Sequence, residues 1–150
     1  QLDKAKDYQN KVLAVDPTDA SADYTIGVIN WTAAYKNAIP VRQSLGLQDN
    51  GDPIKDKKAC AALAEKNGPI IQEGLDALNK AVQLRPNYDD AMAYINLMYR
   101  RKADIECGDE DARKADIATA DEWVQKAMAA RKANQAKQNQ QAPKGIVLGK

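Results

Sequence analysis

Apolar residues recur at helical spacing along most of this chain, and proline or glycine breaks the pattern at intervals. Sustained alternation of apolar and polar residues, which is typical of strands, is missing. The pattern therefore predicts an all-α fold. We expect helices at about residues 2–15, 20–37, 53–66, 69–84, 89–107 and 109 to beyond 130.

Turn-forming residues set the boundaries around the third predicted helix. The segment 40–51 begins with a proline and is expected to be a loop. Asp52 followed by Pro53 is typical of a helix start, because Asp caps free N–H groups and Pro suits the first helical position. The run Asn-Gly-Pro at residues 67–69 is expected to stop the helix or to bend it.

Two segments of the chain repeat one pattern: a helix end, a proline, a turn and a new helix. The first is KVLAVDPTDASADYTIGVIN from Lys11, and the second is KAVQLRPNYDDAMAYINLMY from Lys80. Helices that cross closely need small residues at the crossing, and the repeat places them there. The matched positions are Val12 with Ala81, Pro17 with Pro86, Ala22 with Ala91, Ile26 with Ile95 and, upstream, Ala5 with Gly74.

These positions match the signature of a known repeat family. The second helix of its unit is matched by Gly74, Leu78, Ala81 and Pro86, and the first by Met92, Ile95 and Tyr99. On these residues the chain resembles the tetratricopeptide repeat (TPR) family, in which about 34 residues form two antiparallel helices. The resemblance implies an antiparallel array of helix hairpins, a TPR-like α-solenoid, over residues 1–131. Residues 132–150 are then a basic polar C-terminal tail.

The spacing departs from a simple repeat in two places. From Asn30 to Gly74, and again from Tyr99 to Ala120, the chain is longer than the family's unit allows. We interpret both excesses as helices extended beyond the usual end, on the same edge of the stack. Inserts on one face of a solenoid often carry its specific function. This form with long inserts, including the stretch DDAMAYINLMYRRKAD, is similar to bacterial repeat proteins of the cell envelope.

The two cysteines are candidates for a disulfide. Cys60 lies 26 residues before Pro86 and Cys107 lies 21 residues after it, on helices expected to be antiparallel neighbours. At a rise of ~1.5 Å per residue they differ in level by about 7 Å, which makes a bond feasible. A bond would indicate an oxidising compartment, a periplasm or the cell exterior. The alternative is two separate thiols, which leaves a cytoplasmic location open.

The composition limits the chemistry that the chain can carry. It has no His, which excludes Ser-His-Asp triads, Cys-His dyads and metal sites that use His. The acidic clusters at residues 89–90 and 109–111 lie at predicted helix starts, where carboxylates cap N–H groups. We therefore predict that the chain is not an enzyme and has no catalytic residues, metal site or cofactor.

Charge and hydropathy limit the partners. The net charge is +1, so a nucleic-acid footprint over the whole fold is not expected. Residues 131–150 carry five basic and no acidic side chains. We expect a frayed helix end and a solvated tail there, or else a basic arm for an acidic partner. No apolar run approaches the ~18 residues that would span a membrane.

The TPR resemblance also implies a binding surface. In that family the first helices of successive repeats line a groove that holds a peptide or a partner helix. Carried over by position, the groove residues are Tyr24, Val28, Trp31, Asp90, Ala93, Leu97 and Arg100. This implies a non-catalytic interaction or scaffold module whose partner is a protein or peptide. An alternative for Tyr24, Val28 and Trp31 is burial under the long insert.

A second hypothesis is a structural element that associates with copies of itself or with the rest of a longer envelope protein. The resemblance makes residues 2–15 a second-type helix with no first-type helix before it. That arrangement would leave one helix face unpaired, which favours this hypothesis or else a truncated chain.

Overall fold

The structure, a computed structural model, describes residues 1–141, and these residues form five α-helices. No strand forms within them, so the predicted all-α fold is confirmed. The helices are α1 (Leu2–Val15), α2 (Ala20–Ser44), α3 (Lys57–Leu84), α4 (Asp89–Ala103) and α5 (Glu110–Gln141).

Carboxylates cap the starts of three helices. Each accepts a hydrogen bond of 2.9–3.0 Å from the backbone N–H three residues further on. These bonds satisfy N–H groups that have no partner inside the helix. The capping residues are Asp19, Asp56 and Asp109.

α2 is longer than predicted, because it continues through Pro40. A proline inside a helix leaves the carbonyl four residues earlier without its N–H donor. Here that carbonyl belongs to Lys36, and both residues are exposed, so water can take the place of the lost donor. The helix buries Ala38 before the proline and Arg42 after it. Burial on both sides keeps the segment helical, and the loop lies at residues 45–56 instead of 40–51.

The start of α3 also differs from the prediction. The helix begins behind the cap of Asp56, not behind Asp52 and Pro53. Ile54 is buried in a cluster with Cys60. That burial holds the segment before Asp56 outside the helix.

α3 is one continuous helix where the sequence predicts a stop or a bend. It passes through residues 67–69 because Asn67 is fully buried and bonded to α2. The Asn67 side chain donates to the Ala34 carbonyl at 3.0 Å and accepts from Asn37 at 2.9 Å. Pro69 lies on the exposed side.

α4 ends at Ala103, before the predicted end near Cys107. A turn follows in which Cys107 and Gly108 both have positive φ, a conformation that no helix continues through. At the other end, Asp89 and Asp90 lie in the first turn of α4 and do not serve as its N-cap.

α5 continues well past the predicted domain boundary at residue 131. Residues 132–141 of the predicted basic tail are therefore helical, and residues 142–150 lie outside the described residues.

The helices pack as an array in which chain neighbours contact each other and α2 also contacts α4. The main core lies among α2, α3 and α4, with Leu78, Ile95 and Met98 fully buried. Gly27 faces Leu78 and Gly74 faces Met98 so closely that neither has room for a Cβ. These close approaches fit the predicted helical array.

α1 is covered less than the repeat predicts. Within residues 1–141 it has no buried residue, and Ala5, predicted at a helix crossing, is exposed. Tyr8 is 64% exposed and Val15 is 88% exposed. The described residues therefore leave an apolar part of α1 open.

The predicted disulfide is present. It joins Cys60 of α3 to Cys107 in the turn after α4, with the Cα atoms 5.6 Å apart. Next to it Arg42 and Asp104 form an ion pair of 2.8 Å, with side chains 2% and 6% exposed. The ends of α2 and α4 and the start of α3 thus meet at one end of the array. We call these four residues and the 45–56 loop the disulfide end.

Candidate partner-binding surface

Five aromatic rings form a row where α2 meets α4. Neighbouring rings lie 5.0–5.8 Å apart between centroids, in tilted and edge-to-face arrangements that aromatic pairs favour. We call this set the aromatic row. In spatial order its members are Tyr88, Tyr24, Tyr94, Trp31 and Tyr35.

Helical spacing explains how α2 builds its part of the row. Tyr24, Val28, Trp31 and Tyr35 are separated by four, three and four residues, which places them on one stripe. Tyr94 of α4 stands edge-on to both Tyr24 and Trp31. Tyr35 is exposed and the other four residues are half-buried, so solvent reaches the stripe.

An arginine lies over each end of the row. The Cζ of Arg85 is 4.1 Å from the ring centroid of Tyr88, and that of Arg101 is 5.6 Å from the centroid of Tyr35. The negative ring faces attract both cations. Arg101 also lies 3.5 Å from the carboxylate of Asp104. One end of the row is therefore in contact with the disulfide end.

The centre of the row is uncharged. Burial, with smaller contributions from Tyr94 and Asp90, raises the pKa of Tyr24 to about 12, so its hydroxyl stays protonated at neutral pH. The Nε1 atom of Trp31 is buried and has no acceptor within residues 1–141. The row therefore offers uncharged ring faces, which favour apolar partner side chains.

On α2 the structure brings the predicted groove residues together. Tyr24, Val28 and Trp31 share one stripe of α2, and Tyr94 joins the two rings. The sequence allows the long insert as a cover for them. The 45–56 loop of that insert instead contacts Cys60, Arg101 and Arg113.

On α4 most of the predicted groove residues lie against α5. Ala93 packs beside the cluster of Met92 with two α5 alanines, and Leu97 is half-buried. The two charged residues face α5 side chains: Asp90 lies 4.0 Å from Arg131, and Arg100 pairs with Asp121 at 2.8 Å. Their role in partner binding stays a prediction.

The sequence reasoning missed Tyr94, Tyr35 and Tyr88. On α4 it selected the stripe 90, 93, 97 and 100, whereas the stripe toward α2 contains residues 94 and 101. Both stripes fit a period of about 3.6 residues. Only the packing of α4 against α2 decides between them. The aromatic residue at position 94 could have indicated the stripe that faces α2.

A carboxyl pair lies on the other side of α4. The Lys102 ammonium is 2.8 Å from Glu106 and 3.1 Å from Asp116. Burial, then the hydrogen bond with Glu106, raises the pKa of Asp116 to about 6, while the same bond lowers the pKa of Glu106. Within residues 1–141 no three metal-ligating side chains are placed to hold a metal ion.

Comparison with protein-family models, curated proteins and solved structures finds no match to this chain. The TPR resemblance therefore stays a prediction that rests on the residues quoted for it. None of the helices within the described residues has a stretch long and apolar enough to cross a membrane.

Proposed function

We propose that this chain is a non-catalytic interaction module that binds an extended peptide segment of another protein along the aromatic row. The observation that carries the proposal is the row itself. Its five rings are in continuous contact, and all of them except the buried Tyr88 stay partly open to solvent. Aromatic residues are enriched at protein interfaces because they bury a large area at little entropic cost.

The row favours apolar side chains in the partner. Arg101 at one end is already paired with Asp49 and Asp104, and its charge is not free for a ligand. Affinity would come from apolar burial, at about 25 cal/mol per Å² before the cost of association.

Selection from a random peptide library, followed by calorimetry on the selected peptides, tests the proposal. Val28→Lys places a charge in the middle of the stripe and is expected to weaken binding at least tenfold. Tyr8→Ala removes an exposed aromatic from α1, outside the row, and is the matched control. Selected peptides that bind Val28→Lys and the native chain equally would contradict the proposal.

The disulfide supports a location in an oxidising compartment, the periplasm or the exterior. Alkylation of acid-trapped cells tests this location. We expect no alkylatable thiol on the protein from its native cell, whereas two would place it in a reducing compartment.

A second candidate function is self-association, which the exposure of Tyr8 and Val15 on α1 favours. A second copy packed against α1 would cover both residues. Light scattering is expected to show a fraction of dimer that increases with protein concentration. This dimer is expected to be absent in Tyr8→Lys. A monomer at all concentrations would leave the peptide-binding proposal alone.

A further inference from the structure

A cavity of about 270 Å³ lies between α1 and α3, with α2 as its floor. Leu13, Ile26 and Ala77 form its apolar walls, and Asp23 and Lys80 are among its charged residues. Asp23 is 3% exposed, and its Oδ2 atom has no hydrogen-bond partner within residues 1–141. The cavity therefore contains a buried carboxylate that is short of a donor.

The neighbouring acids of the cavity have their partners. Glu73 accepts from Lys6 at 2.7 Å and from Asn30 at 2.9 Å. Asp76 accepts from Gln72 at 2.9 Å. The missing partner is thus specific to Asp23.

Leaving Asp23 without a donor is unfavourable. Burial raises its pKa, and the Lys80 charge opposes that rise without donating a hydrogen bond to it. A buried carboxylate gains most from a cation that also donates hydrogen bonds.

The internal repeat shows what occupies this place elsewhere in the fold. The repeat alignment pairs Asp23 with Met92 and Leu13 with Val82. Met92 is 7% exposed and packs in an apolar cluster with Ala127, against Val82. The second unit (α3, α4, α5) thus fills with apolar side chains the place where the first unit (α1, α2, α3) keeps a cavity and a carboxylate. Packing of the helices against each other therefore requires neither the cavity nor the Asp23 carboxylate.

We propose that this cavity binds an alkylammonium group, with the ammonium on the Asp23 carboxylate and the carbon chain against Leu13, Ile26 and Ala77. A primary ammonium is compact and supplies three donors. The apolar walls match a short methylene chain. A lysine side chain of a partner and a free linear amine present this same chemistry.

Titration of the full chain with n-butylammonium and with Nα-acetyl-lysine methylamide tests the proposal, with methyl NMR shifts of Leu13 and Ile26 as readout. Both probes are expected to give saturable shifts, and neutral n-butanol none. Tighter binding of the lysine derivative identifies a partner side chain as the source, and tighter binding of butylammonium identifies a free amine. No saturable shift with either cation would overturn the proposal.

Two variants separate a specific role of the Asp23 carboxylate from the effect of the overall negative charge of the cavity. Asp23→Asn is expected to weaken binding at least tenfold, and Asp76→Asn, a carboxylate in the same cavity, less than twofold. Equal binding by Asp23→Asn and the native chain would overturn the assignment.

Two further variants keep the test valid if Asp23→Asn folds poorly. Asp23→Met copies the second unit and is expected to fold and to abolish binding. Lys80→Gln removes the nearby competing ammonium and is expected to tighten binding, whereas weaker binding would contradict the placement of the probe ammonium on Asp23 beside Lys80.

Discussion

At the scale of single residues, Gly27 tests how closely α2 and α3 approach. A Cβ there would lie 2.3 Å from the Cγ atom of Leu78, which is fully buried and has no room to move. Gly27→Ala is expected to lower the free energy of unfolding by about 2 kcal/mol, measured by urea denaturation. Gly68 in α3 is the control, since nothing lies within 4 Å of its added Cβ. Gly68→Ala should raise stability by ~0.5–1 kcal/mol, and equal effects would contradict the close approach.

Asp116 is a single residue that makes the free energy of unfolding depend on pH. Its folded pKa is raised from 3.8 to about 6, so between these values the folded chain holds a proton that the unfolded chain has lost. The contribution to stability is therefore full below about pH 4 and falls as the pH rises to about 6. Asp116→Asn removes this fall. Its free energy of unfolding relative to the native chain should increase from pH 4.5 to pH 7.5, on the order of 1 kcal/mol.

Glu106→Gln is the control for that prediction. The pKa of Glu106 is lowered, first by the hydrogen bond from Asp116 and then by Lys102, so its contribution is present above its ordinary pKa and lost as the pH falls. Its variant should lose stability relative to the native chain toward higher pH. A relative stability of Asp116→Asn that is flat with pH would show that Asp116 titrates normally.

At the scale of helices, Pro69 tests why α3 continues. Ala at this position restores an N–H for the Glu65 carbonyl and removes the ring clash. Because α3 is helical on both sides, Pro69→Ala is expected to raise the free energy of unfolding by about 1–3 kcal/mol in urea denaturation. Pro86 lies in the turn between α3 and α4. Pro86→Ala should lower the free energy of unfolding by at most about 1 kcal/mol. A loss in Pro69→Ala would instead mean that the packing needs a proline there.

Three prolines, Pro40, Pro69 and Pro86, show what the sequence could predict about the helices. Periodicity and capping predict α1, the start of α2 and the turn at Pro86, because local chemistry decides those places. Local chemistry also predicts a helix end before Pro40 and a stop or a bend at residues 67–69, and the predicted end and the predicted stop are both wrong. Buried Arg42 and Asn67 hold the helices together across those prolines through contacts with other parts of the chain, which the local pattern does not contain.

The candidate site was predictable in part for the same reason. The period of α2 places Tyr24 and Trp31 on one stripe without knowledge of any neighbour. The choice of Tyr94 over Ala93 on α4 depends on how α4 turns toward α2, and that rotation is fixed by packing. The buried carboxylate of Asp23 was not predicted, although its repeat partner Met92 made the contrast visible in the sequence.

At the scale of the whole molecule, the disulfide end connects α2, α3 and α4 at one end of the array. Arg42 of α2, Cys60 of α3 and Asp104 after α4 meet there, and Arg101 continues the contacts to Tyr35 of the aromatic row. The spacing of Cys60 and Cys107 around Pro86 predicts only that these two residues can meet. Loosening this end is therefore expected to affect α4 and the row together.

Reduction of the disulfide is the prediction that tests the whole array. The bond joins residues 47 apart in sequence, and the chain-entropy model gives about 4 kcal/mol for a closed loop of this length. A dithiol reductant is expected to lower the Tm of the native chain. A chain carrying both Cys60→Ser and Cys107→Ser should already melt at that lower Tm and should not respond to the reductant.

Hydrogen exchange locates the effect of that reduction. Exchange should become faster first in the 45–56 loop and in residues 104–108, which the bond and the Arg42–Asp104 pair hold together. The contact between α1 and α2 lies outside the disulfide end and should keep its protection. Uniformly faster exchange, with a lower Tm, would mean that the array unfolds as one cooperative unit. An unchanged Tm would contradict a stabilising role for the bond.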